Sequence, residues 1–200
     1  LQRYNIDQAT PKLEPKLPLK WGERQRGGKF NAWVDWWYSE VANGWDVPPP
    51  DKHYIGSYGL NYWFSRDTAN VRAQYKLWGY YPGSLLAVKG AERVPLLLDC
   101  AYSGACPLPH DNPPEYDGQI YFSIPINMNE IRSFCINRHN GAVNGVFLDF
   151  SARKIGLKEL WVLRWHRLWY EDLREVGGLP AAWDDPEHWM YNFKDYDLNE

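Results

Sequence analysis

Asn140-Gly141 constrains this chain more than any other dipeptide in it. A type I′ turn needs φ > 0 at both central residues, and Asn-Gly meets that need at the least steric cost. The flanking residues read as strands. Before the turn, Phe134 and Ile136 fall on one face and Cys135 and Asn137 on the other, the alternation of a strand entering a hairpin. After it, Val146-Phe147-Leu148 is an apolar run too short for a helix and reads as a buried strand. Asp149-Phe150-Ser151 predicts a second reversal, sending residues 152–155 back along the sheet until Gly156 ends them. From Leu157 the period changes. Leu157, Trp161, Trp165 and Leu168 recur at helical spacing, with Lys158, Arg164 and Arg167 off the stripe. This predicts one Trp-rich helix packed across a β-meander.

The rest of the chain is punctuated by turns. Pro11, Pro15 and Pro18 forbid a long helix near the start, so residues 1–26 read as an extended arm. Residues 32–41 read as a helix stopping at Asn43-Gly44, with Trp33, Trp36 and Trp37 on one face. In 56–63, Tyr58, Leu60 and Tyr62 alternate with small or polar partners, a strand signature. Further short strands are predicted over 94–99 and 119–124, with a helical turn over 127–132. Val176-Gly177-Gly178 is a stop, and the acidic run before Glu187 starts a short helix whose Trp189, Met190 and Phe193 dock on the body. The expected fold is α+β: one domain over 1–200 holding an antiparallel sheet of about four or five strands, with long loops and flanking Trp-rich helices. Within it, 27–175 carry the sheet and core helix, and 176–200 form a C-terminal extension.

Charge excludes one class of partner. A net charge of −3 and a pI near 6.0 give no basic footprint for nucleic acid. The 12 Trp and 14 Tyr suit the filling of a loop-rich core. Core packing is the default reading; the alternative is a sugar-stacking platform at Trp33, Trp36 and Trp37, which needs those rings exposed and coplanar. Cys100 and Cys106 bracket a short loop and form a disulfide in an oxidising compartment if their Cα atoms come close. Cys135 reads as a small buried apolar side chain. His110, Asp111, Glu115 and Asp117 cluster in a loop and raise calcium as a ligand, although their spacing matches no EF-hand; no other metal or cofactor is implied. Catalytic signatures are absent from the sequence: no GxSxG elbow, no HExxH, no phosphate-binding glycine loop. The one tempting pair is His139 with Asp149, beside Arg138, as a hydrolase. If the hairpin forms, these two lie a strand apart, and turn roles fit them better: His139 capping the turn, Asp149 accepting N–H groups in its own reversal.

RHNGAVNGVFLDFSARKIGLKELWVLRWHR, residues 138–167, closely resembles the C-terminal region of planctomycete-type pilin-like proteins, the pseudopilins of type IV pilus and type II secretion systems. Their hallmark is a His, nine residues, then Asp-Gly. His139 and Asp149 keep that spacing around Asn140 and Gly141, while Phe150 stands where the Gly would be. GGKFNAW (27–33), GSYGLNYW (56–63), VKGAERVPLLLDC (88–100) and EHWMYNFKDY (187–196) extend the resemblance along nearly the whole chain, in order. It implies a non-catalytic structural subunit of an extracytoplasmic filament or pseudopilus, partnered by itself or related pilin-like subunits. Such proteins attach to the inner membrane through an N-terminal hydrophobic helix. No run here has the roughly 18 apolar residues of a membrane span, so the expectation is a globular head without its anchor.

Overall fold

A computed structural model of the protein describes residues 33–35, 54–64, 88–119 and 129–198. Its strands are β1 (Trp33–Asp35), β2 (Tyr54–Gly56), β3 (Tyr58–Asn61), β4 (Pro95–Asp99), β5 (Gly104–Ala105), β6 (Ala142–Phe147) and β7 (Ala152–Gly156). β1 and β2 form an antiparallel ribbon, and the other five make one sheet in the order β5-β3-β4-β6-β7. The class is α+β, as expected, and the α-helix among the described residues is α1 (Trp169–Glu175).

The sheet is mixed, not purely antiparallel: β3 pairs β5 in parallel, Leu60 opposite Gly104. The cause is a crossing. After β4 the chain passes over β3 through residues 100–103 and lands on its far side. It can do so because position 59 has no side chain: a Cβ on Gly59 would sit 2.5 Å from the Tyr102 carbonyl oxygen. That crossing also removes the expected disulfide. Cys100 opens that crossing and Cys106 follows β5, on the other side of β3 from β4. Both thiols are unbonded and buried.

The hairpin predicted around Asn140-Gly141 forms only in its turn. Both residues take positive φ, 51° and 82°, and the His139 N–H donates to the Ala142 carbonyl at 3.1 Å. The incoming strand is missing. β6 is paired on both sides, by β4 and by β7, which leaves no ladder for residues 134–137. That segment instead follows a 3₁₀ turn (Glu130–Ser133), with Phe134, Cys135 and Ile136 all buried. The second reversal is as expected. The Phe147 and Phe150 N–H groups donate to Ser151 and Phe147 carbonyls at 2.9 Å, and β7 returns along β6 from Val146↔Ala152 to Ala142↔Gly156.

The long Trp-rich helix is replaced by a 3₁₀ turn (Lys158–Trp161), irregular chain, and α1. Side chains and distant backbone take the carbonyls an α-helix would use. The Leu160 oxygen accepts from the Trp165 indole at 2.7 Å, and the Trp161 oxygen from the Trp169 indole at 3.0 Å. Val162 O accepts from Arg93 and Tyr170, and the Arg164 N–H is drawn to the Arg93 carbonyl. The stripe itself is nonetheless core: Leu157, Trp161 and Trp165 are fully buried, while Leu168 is 42% exposed. Lys158, off the stripe, is buried too, its Nζ 2.6 Å from Asp195 Oδ1, which ties the C-terminal stretch to the body. Trp189, Met190 and Phe193 dock on the core as expected, through successive tight turns instead of a helix.

Of the predicted helix over 32–41, the described part, 33–35, is strand β1, with Trp33 opposite Gly56 and Asp35 opposite Tyr54. Trp36 and Trp37, the arm over 1–26, and the strand beyond residue 119 lie outside the described residues.

Candidate functional site

His139 and its neighbour Arg138 converge on Asp99 of β4. Asp99 is on the outer face of the sheet, opposite Tyr58, yet it is buried beneath the chain that follows the 3₁₀ turn. Its Oδ2 accepts the Asn144 N–H at 2.7 Å and lies 2.9 Å from His139 Nε2. Its Oδ1 is 3.3 Å from Arg138 Nη1. Arg138 also donates to the carbonyls of Ser57 and Cys100, so one guanidinium fastens the start of β3 to the end of β4. Because a carboxylate only accepts, the His139 Nε2 donates in its contact with Asp99. The Asn144 Nδ2 lies 2.9 Å from the same Nε2. Asn137 completes the turn, its Oδ1 accepting the Gly141 N–H at 2.6 Å.

Asp149 stands at the other end of β6. Its Oδ1 accepts from the Ser151 N–H and hydroxyl at 2.9 and 2.6 Å, and those two bonds hold its pKa below the ordinary carboxylate range. His139 and Asp149 therefore do not meet, and the hydrolase dyad is not assembled. Asp149 has the turn role expected of it. His139 closes the turn through its backbone N–H, which donates to the Ala142 carbonyl, while its ring pairs with Asp99, a partner 40 residues earlier that no local sequence signal announces.

Phe150, at the place of the motif glycine, sits at φ 63° with its side chain 76% exposed. A bulky residue in the left-handed region costs about 1 kcal/mol that glycine avoids. Phe150→Gly is expected to raise unfolding stability by about that amount, read as a higher urea midpoint at unchanged slope.

The calcium residues do not gather. Asp111 is fully buried, and its oxygens already accept three backbone N–H groups: Leu108 and Ile131 at 3.0 Å, Asn129 at 2.9 Å. Burial pushes its carboxyl up to about 6 against the pull of those donors. Asp117 accepts from Asn137 at 2.9 Å, while His110 and Glu115 are exposed. Among the described residues no three His, Cys, Asp or Glu side chains are placed to hold a metal. For the sugar-stacking trio, only the backbone of Trp33 is described. Trp63, Trp161, Trp165, Trp169 and Trp183 are core, packed with Phe134 and His166; burial drives the His166 pKa down to about 3.

No family model, no curated protein and no solved structure matches this chain.

Proposed function

We propose that this chain is a non-catalytic structural subunit of a pilin-like extracellular filament or secretion-system pseudopilus, assembled outside the cytoplasm from copies of itself or of related subunits. Membrane attachment in this reading belongs to the N-terminal hydrophobic helix of such proteins. One observation carries the argument: the residues of the histidine–aspartate motif are committed to architecture. His139 is bonded to Asp99 at one end of β6, and Asp149 to Ser151 at the other. A hydrolytic site would need the imidazole, the acid and a reacting atom within hydrogen-bond reach of one another. Here a whole strand separates the two candidates. The resemblance to pilin-like proteins supplies the role, and the exposed apolar sheet face described below supplies a means of lateral contact.

The test is cellular. Expressed with a complete pilin-like assembly system and sheared from the cell surface, the chain should appear in the high-mass fraction and label filaments in electron micrographs. Recovery as a soluble monomer alone sinks the reading. The motif has its own check. His139→Ala is expected to lower stability by about 1–2 kcal/mol, since it takes a partner from a buried carboxylate. Assembly should then fall only in proportion to the unfolded fraction. An enzymatic activity lost in His139→Ala at an unchanged urea midpoint would argue for the hydrolase instead.

A further inference from the structure

We propose that two copies of this chain pair through the β6–β7 hairpin, each inserting Phe150 into a groove on the outer sheet face of the other. The register of the sheet builds the groove. Leu60, Leu97, Val146 and Ala152 are neighbours across four strands and form an apolar row on the face turned away from the tryptophan core. Leu60 and Tyr58 are 53% and 46% exposed there. Tyr58, Leu97, Val146, Ala152, Arg153 and Lys154 line an open groove of about 380 Å³. It has room for an aromatic ring, and its breadth suits a protein contact better than a buried small ligand.

The occupant follows from what the hairpin tip displays. Phe150 is the most exposed large apolar side chain among the described residues, at 76%, and its backbone is held in the left-handed region. Among the described residues Phe150 is not part of the core cluster or packed against it; such strained positions cluster where a surface is used. Beside it Asp149 is a solvent-exposed carboxylate. The groove offers the complement: an apolar floor at Leu97, Val146 and Ala152, with Lys154 at the rim, while Arg153 is paired with Glu159 at 2.6 Å. Knob and groove sit on one hairpin, Val146 and Ala152 flanking the turn that carries Phe150. A patch that is its own complement pairs about a two-fold axis. The charges on β7, an edge strand, discourage edge-to-edge pairing, which leaves the face as the route of approach.

The contact deepens the self-assembly reading and rests on it for its setting. Sedimentation of the full chain over a micromolar concentration series should show reversible dimerisation. Phe150→Gly should weaken it about tenfold or more, as loss of an aromatic anchor does, while raising the unfolding midpoint, so misfolding cannot imitate the effect. Chains carrying Phe150→Cys, mixed with chains carrying Lys154→Cys, should cross-link to each other. A wild type that stays monomeric throughout, or a dimer unmoved by Phe150→Gly, overturns the proposal. Filaments that form normally with Phe150→Gly overturn this contact and leave the filament reading intact; a chain that dimerises through Phe150 yet never enters filaments does the reverse.

Discussion

Asp111→Ala is expected to lower the free energy of unfolding by about 4 kcal/mol in mildly acid buffer, because it strips three buried N–H groups of their acceptor at once. Those donors, from Leu108, Asn129 and Ile131, belong to segments far apart in sequence, so the one carboxyl stitches the loop after β5 to the 3₁₀ turn before β6. The effect should depend on pH with a definite sign. Burial raises the Asp111 carboxyl from its ordinary 3.8 to about 6, so the native state binds that proton more tightly than the unfolded chain does. The resulting stabilisation is present in full below pH 3.8 and disappears as pH rises through 6. A shift of this size corresponds to about 3 kcal/mol. Asp111→Asn cannot ionise and should flatten that part of the profile, while still losing one acceptor. Urea unfolding of wild type and Asp111→Asn at several pH values between 4 and 7 measures it. Parallel profiles for the two proteins would show that Asp111 does not titrate in this window.

The same residue shows where the sequence could and could not be read. Its neighbourhood announced carboxylates in a loop, which suggests a cation. Whether a carboxylate's lone pairs meet a metal or backbone N–H groups depends on chain segments that are distant in sequence. Local signals did better. Asn140-Gly141 and Asp149-Phe150-Ser151 turn as their chemistry requires, since a turn is settled within four residues. β4 and β6 followed from short apolar runs, and β7 from the reversal that precedes it. The alternation in β3 was real but its direction was not legible: Tyr58 and Leu60 point outward, and Gly59 and Asn61 inward. Asn61 is welcome inside because its amide donates to the Pro95 and Trp165 carbonyls and its oxygen accepts the Trp63 N–H. The parallel strand β5 and the Asp99–His139 pair depend on a crossing and a partner that no local window contains.

Trp165→Ala should be the most damaging single truncation in the stripe, at about 4–5 kcal/mol, a large part of the 5–15 kcal/mol that holds a typical domain together. Three losses combine. The ring is fully buried, packed 4.8 Å from Phe134 between centroids and 6.5 Å from Trp169. Its removal leaves a cavity in the aromatic core beside Phe134 and Trp169. Its indole also closes the Leu160 carbonyl, which would otherwise be a buried acceptor without its donor. Leu168→Ala is the control, because the two residues share one helical stripe in the sequence. On a continuous amphipathic helix both would be core and both truncations would cost several kcal/mol. In the observed fold the stripe breaks after residue 165 and Leu168 faces solvent, so Leu168→Ala should cost less than about 0.5 kcal/mol. Guanidinium unfolding of the two variants, with slopes compared to confirm that the transition is unchanged in extent, separates the cases. Equal, large losses would restore the continuous helix. A wide gap supports the alternative, in which the indole N–H groups take the carbonyls that a helix would have used and hold this aromatic core in an irregular chain.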